Sequence, residues 1–177
     1  LQSVVPYLPK NLNAPVVLVQ HMPKGFTKSM AERLNELSDI FVKEAEDGER
    51  LEKGTVYVAP GGLHMMVETK RDGNNFIRLS MDPAIGGLRP CANLMYESIK
   101  ETNFDLITCV VLTGMGMDGM EGIRSLDKGK HIYTIAQDAE TSVVYGMPRA
   151  VADAGITDEI VPLKEIAKSI IKNVGVR

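Results

Sequence analysis

The sequence predicts an α/β domain with a doubly wound, mainly parallel sheet and an antiparallel hairpin attached. Three observations carry this. Short apolar runs alternate with helical stretches at both ends of the chain, the pattern of strand–helix–strand units. A β-rich insert sits between those ends. The chain has 177 residues, 44% hydrophobic and 24% charged, which suits one domain with a substantial core.

The elements follow in order. Leu1, Val4, Val5 and Leu8 keep the i, i+3, i+4, i+7 spacing of an amphipathic helix, so a helix is expected to be under way at residue 1. With no initiator Met, the chain reads as a fragment whose upstream strand and turn precede Leu1; a short terminal helix is the alternative. PVVLVQ (15–20) reads as a buried parallel strand. A helix follows through 25–38, with Phe26, Met30, Leu34 and Leu37 on its inner face. FVKEAE (41–46) is a short strand. TVYVA (55–59) and LHMMVE (63–68), joined by Pro60-Gly61-Gly62, read as a hairpin or tight meander. Asp72-Gly73-Asn74-Asn75 is a turn into FIRLS (76–80). Residues 81–90 are loop, and Pro90 suits the first turn of a helix over 91–102. DLITCVVLT (105–113) is the clearest strand, followed by a helix over 118–129. HIYTIAQ (131–137) is strand, 141–155 mostly helix interrupted near Gly146 and Pro148, EIVPL (159–163) strand, and the last twelve or so residues helix.

Composition removes several classes. The net charge of −3 argues against a nucleic-acid binder. No apolar run reaches the length of a membrane span, and no charged-then-apolar leader opens the chain. Cys91 and Cys109 lack a metal-ligand spacing and read as reduced thiols of a cytoplasmic protein. His64 and His131, each in a strand and without a ligand partner, read as structural.

Two residues stand where a parallel sheet places its chemistry, just past the carboxyl ends of strands. His21 follows the strand at 15–20. It is either a general base or a loop or capping histidine. Asp118 follows the strand at 105–113, through the turn Gly114-Met115-Gly116-Met117. On one edge of a sheet the two would meet, the carboxylate reaching His21 Nδ1 and fixing its tautomer; otherwise Asp118 simply caps its own helix. The Gly-rich turn exposes backbone N–H groups that could hold an oxyanion.

The same letters, residues 114–119, spell GxGxxG, with Asp138 about 20 residues on, as in a dinucleotide-binding site. Asp118 opposes that reading, because a phosphate cradle wants N–H dipoles and no adjacent anion. A nucleophile is hard to find. No GxSxG turn occurs, Ser3 is on the opening helix and Cys109 is mid-strand. Cys91, at a helix start whose dipole could lower its pKa, is a weak candidate. Met115, Met117 and Met120 either line a docking surface or pack.

Four blocks, VVLVQHMPKGFTKSMAERL, VKEAEDGERLEKGTVYVAPGGLH, VVLTGMGMDGMEGI and AQDAETSVVYGMPRAV, together resemble the catalytic domain of the chemotaxis protein-glutamate methylesterase family over nearly the whole chain. The resemblance implies a three-layer α/β/α sandwich around a seven-stranded sheet, and a Ser-His-Asp hydrolase without cofactor or metal. It implies action on glutamate γ-methyl esters, and on certain glutamines, of chemoreceptor cytoplasmic helices. His21 and Asp118 take the family's His and Asp positions, and Met115 that of the oxyanion N–H. The family's Ser, in a GASTGG-type turn, would fall before Leu1. Residues 1–177 would then be one catalytic domain without its first strand and nucleophile turn, inactive as it stands, from a protein with an N-terminal receiver domain. Cys91-Ala92-Asn93 departs from the family's RPS-then-Asp pattern. A dinucleotide-binding domain and a non-catalytic receptor-binding module remain the other classes.

Overall fold

A computed structural model describes residues 1–177. Its strands and helices are β1 (Val16–Leu18), α1 (Phe26–Leu37), β2 (Phe41–Glu44), β3 (Thr55–Val58), β4 (His64–Thr69), β5 (Asn75–Ser80), α2 (Ala92–Lys100), β6 (Leu106–Val111), α3 (Met120–Asp127), β7 (His131–Gln137), α4 (Met147–Asp153), β8 (Glu159–Val161) and α5 (Ile166–Val174). Two parallel three-stranded sheets, in the orders β1-β3-β2 and β6-β7-β8, accompany the antiparallel pair β4-β5.

The two parallel halves form one layer, because alternate residues of both feed the same two cores. Val56, Val58 and Ile135 pack with Ala31, Leu34, Ile166 and Ile170 on the face covered by α1 and α5. Tyr57, Ala59, Cys109, Val111 and Ala136 pack with Met95, Ile99, Ile123 and Val151 on the face covered by α2, α3 and α4. Period-two alternation with both faces apolar yields the near-continuous hydrophobic runs seen in the sequence. The result is the expected three-layer sandwich.

The sheet is not continuous within this layer. β1 and β6 are both edge strands, and a groove of about 660 Å³ runs between them, walled by Val17, Val19, Ile107 and Val110. The burial follows this arrangement. Every residue of β3, flanked by a strand on each side, is buried, whereas all three of β1 are only half-buried.

Five local expectations are corrected. TVYVA does not pair with LHMMVE: β3 lies parallel between β1 and β2, and the hairpin is β4-β5, closed by the turn at Asp72-Gly73. The opening segment is a 3-10 turn at Val5–Tyr7 and no α-helix, because Leu8 precedes Pro9 and is held extended (φ −80°, ψ 133°). Its apolar residues Val4, Val5 and Leu8 are nonetheless buried. The inner face of α1 is Thr27, Ala31 and Leu34, while Phe26 is 61% exposed. Thr27 turns inward because its hydroxyl donates to Glu44 Oε1 (2.6 Å) and accepts the Gly61 N–H (2.9 Å). Pro90 precedes the cap of α2 rather than starting the helix, which begins at Ala92. Residues 141–146 form a loop and α4 covers only Met147–Asp153, since the backbone of 144–147 is bonded to Gly114.

Candidate active site

His21 and Asp118 meet. Both lie past the carboxyl ends of parallel strands, β1 and β6, at one end of the groove. His21 Nε2 and Asp118 Oδ2 are 2.7 Å apart, with the Asp118 side chain 4% and the His21 side chain 27% exposed. The nitrogen differs from the expectation: Nε2 faces the carboxylate, so an ionised Asp118 fixes the tautomer with hydrogen on Nε2 and leaves the Nδ1 lone pair as the base.

Asp118 is held from a second side. Its carboxylate accepts the backbone N–H of Ala92 (2.6 Å) and of Asn93 (2.9 Å), and the Cys91 thiol (3.3 Å). It therefore caps α2 and not its own helix, whose cap position is Gly119. The turn after Asp118 needs glycine, since Gly119 has φ of 100°. Burial alone pushes the Asp118 carboxyl up; the hydrogen bonds from His21, the two N–H groups and Cys91 outweigh it and hold the pKa at about 2. The group is a permanent anion at neutral pH, suited to stabilising an imidazolium.

The loop after His21 is equally confined. The turn at Gly61 packs against the backbone of Met22 and Pro23, just after His21, and Thr27 holds that turn through the Gly61 N–H. On the other side of the site, Gly114 donates its N–H to Val144 O and accepts those of Gly146 and Met147. Buried Gln137 accepts the Thr113 N–H (2.8 Å) and donates to Thr141 O (2.8 Å), so the two loops share one anchor. The Met115 N–H makes no hydrogen bond within the protein, and its side chain is 85% exposed. This turn can offer a donor to a negative oxygen.

The other candidates take different places. Cys91 is buried and its thiol is pushed up, first by burial and then by neighbouring Asp118, the reverse of the expected lowering. Cys109 is buried mid-strand, its thiol raised to about 12 by burial. His64 is fully buried, with Nε2 bonded to Pro83 O (3.1 Å), and His131 starts β7. The features of the GxGxxG reading do other work. Met147 Sδ fills the space a side chain would need at Gly114, and Asp138 closes a turn onto Thr141. No group of three or more His, Cys, Asp or Glu side chains is placed to hold a metal.

The Ala92 and Asn93 N–H groups, Thr27, Gly61 and Gln137 were not legible as site residues. The helix start at Pro90-Cys91 was read only as a place where the Cys91 thiol pKa could fall; its N–H groups instead hold Asp118.

Residues 1–170 match the family model described as CheB methylesterase. The chain belongs to the CheB methylesterase family. It is 46% identical to the protein-glutamate methylesterase/protein-glutamine glutaminase of Geobacillus kaustophilus, over 99% of this chain and 50% of that one. It is 47% identical to the protein of the same name from Oceanobacillus iheyensis, over 97% and 49%. The crystal structure of the Thermotoga maritima CheB methylesterase catalytic domain superposes with a TM-score of 0.88 at 39% identity, covering 97% of this chain and 89% of that one. The chain thus spans about half the length of the curated relatives it matches and nearly all of the CheB catalytic domain. No helix is long and apolar enough to cross a membrane.

Proposed function

We propose that residues 1–177 are the base-and-acid side of a protein-glutamate methylesterase and glutaminase that acts by a Ser-His-Asp mechanism on chemoreceptor cytoplasmic helices. The carrying observation is the His21–Asp118 pair at the head of the groove between two strand edges. The groove suits an extended segment that adds a parallel strand to both edges, one strand being the normal spacing unit of a sheet. A serine at the carboxyl end of such a segment would emerge beside His21. In this reading the segment belongs to the remainder of a longer cytoplasmic protein, which also carries a receiver domain, and the 177 residues alone do not turn over.

In this reading the steps are as follows. The serine hydroxyl attacks the ester carbonyl as His21 Nδ1 takes its proton. Asp118 holds the Nε2 hydrogen and balances the imidazolium charge. The Met115 N–H holds the oxyanion. His21 returns the proton to the departing methanol, or to ammonia from a glutamine. Water, deprotonated by His21, then releases the glutamyl carboxylate and restores the serine.

The test is methanol release from a methylated receptor fragment by the full-length protein. His21→Gln and Asp118→Ala each lower turnover about 10³- to 10⁴-fold. Turnover near wild type in either variant overturns the reading.

A further inference from the structure

Helices α2 and α3 cap each other. Asp118, just before α3, accepts the first two N–H groups of α2. Asn93, in the first turn of α2, does the converse: its Oδ1 accepts the Gly119 N–H (2.9 Å) and the Gly122 N–H (2.8 Å). Gly119 is the cap of α3 and has no side chain to do this; Gly122 is the third residue of that helix. A single amide oxygen therefore satisfies the two donors that a capping box within one helix would satisfy. The approach is close on the other side too. A methyl group at Gly122 would lie 2.7 Å from Asn93 O and 2.8 Å from its Cα.

We propose that Asn93 is a positioning residue for the His21–Asp118 pair: its amide oxygen ties the start of α3 to the start of α2 and so fixes where the Asp118 carboxylate points. The Asn93 backbone N–H bonds the Asp118 carboxylate and its side-chain oxygen bonds the N–H of Gly119, so Asp118 is held both at its carboxylate and through the residue that follows it. Three residues, Asp118, Gly119 and Gly122, are thereby bonded to one, Asn93, through one hydrogen bond each. A carboxylate so fixed needs no reorganisation when His21 takes up a proton. The titratable groups facing Asp118 are His21, Cys91 and Tyr96, none of them a carboxylate.

The inference rests on the proposed esterase reading, and one experiment separates the two. In the full-length protein, methanol release and thermal unfolding are measured for wild type, Asn93→Ala and Asn93→Asp across pH. Asn93→Ala lowers kcat about 10- to 100-fold with KM within about 2-fold, the signature of misplacement rather than lost binding. Asn93→Asp keeps an acceptor for both N–H groups. It restores kcat at neutral pH to within about 3-fold, and its acid limb moves upward because a second carboxylate adjoins Asp118. Wild-type kcat in folded Asn93→Ala overturns the inference, as does an Asn93→Asp protein that is inactive, unfolded or unchanged in pH profile. If Asn93→Ala does not fold, Asn93→Asp decides alone. No methanol release by wild type, in contrast, overturns the esterase reading itself.

Discussion

Gly61 lies so tightly against Pro23 that a methyl group at this position would sit 2.4 Å from the Pro23 carbonyl oxygen and 2.5 Å from that of Met22. These two carbonyls belong to the chain immediately after His21. His21 is thus positioned by a turn forty residues further on, and that turn is itself fixed by the buried hydroxyl of Thr27.

Gly61→Ala is expected to force these backbones apart, since neither contact is a flexible side-chain tip. The cost is about 1–3 kcal/mol, read by urea denaturation. Turnover of the full-length enzyme falls with it, because the loop that must yield carries His21. Unchanged stability would show that the close approach is not constrained.

The depressed pKa of Asp118 makes a prediction about acid. Its folded value, about 2, lies below the ordinary aspartate value of 3.8. The ionised group therefore contributes stability that is fully present above about pH 4 and is lost as pH falls toward 2. The contribution is about 2 kcal/mol. Denaturation of wild type and Asp118→Asn at intervals from pH 6 to pH 2 checks it. The wild-type advantage shrinks over the lower half of that range. An advantage that stays constant throughout contradicts the proposed bonding.

Cys91 touches Asp118 in a place that disfavours its thiolate. Its thiol is buried and donates to Asp118. Cys91→Ser preserves a donor at the same place and is expected to keep turnover within about 3-fold of wild type. Iodoacetamide labels the native protein slowly, because burial and the neighbouring carboxylate both disfavour the thiolate. Rapid labelling, or loss of turnover in the serine variant, would restore Cys91 as a chemical participant.

Much of this was legible in the letters. Short apolar runs marked β1, β3, β6 and β7, and the Gly-rich turn after 105–113 marked Asp118 as a residue past a strand end. His21 was legible for the same reason. Periodicity and turn chemistry are local properties of a chain, and both survive any change of partner. They mislead where a partner intervenes. The α1 helix turns its Thr27 face inward because Glu44 and Gly61 bond it. Residues 141–146 are loop because Gly114 takes their hydrogen bonds.

The sequence by itself determined the α/β class, the two strand ends and the residue types that stand on them. Four blocks of letters in the right order also carried the resemblance to the methylesterase family. Only the tertiary structure decided that His21 turns Nε2, and not Nδ1, toward the acid. It alone decided that Asp118 caps α2 while Asn93 caps α3. It alone decided that β1 and β6 are the two strand edges that line the groove. A strand announces itself through its own side chains, whereas the partner of a buried carboxylate or of a strand edge is chosen by packing between segments far apart in the chain.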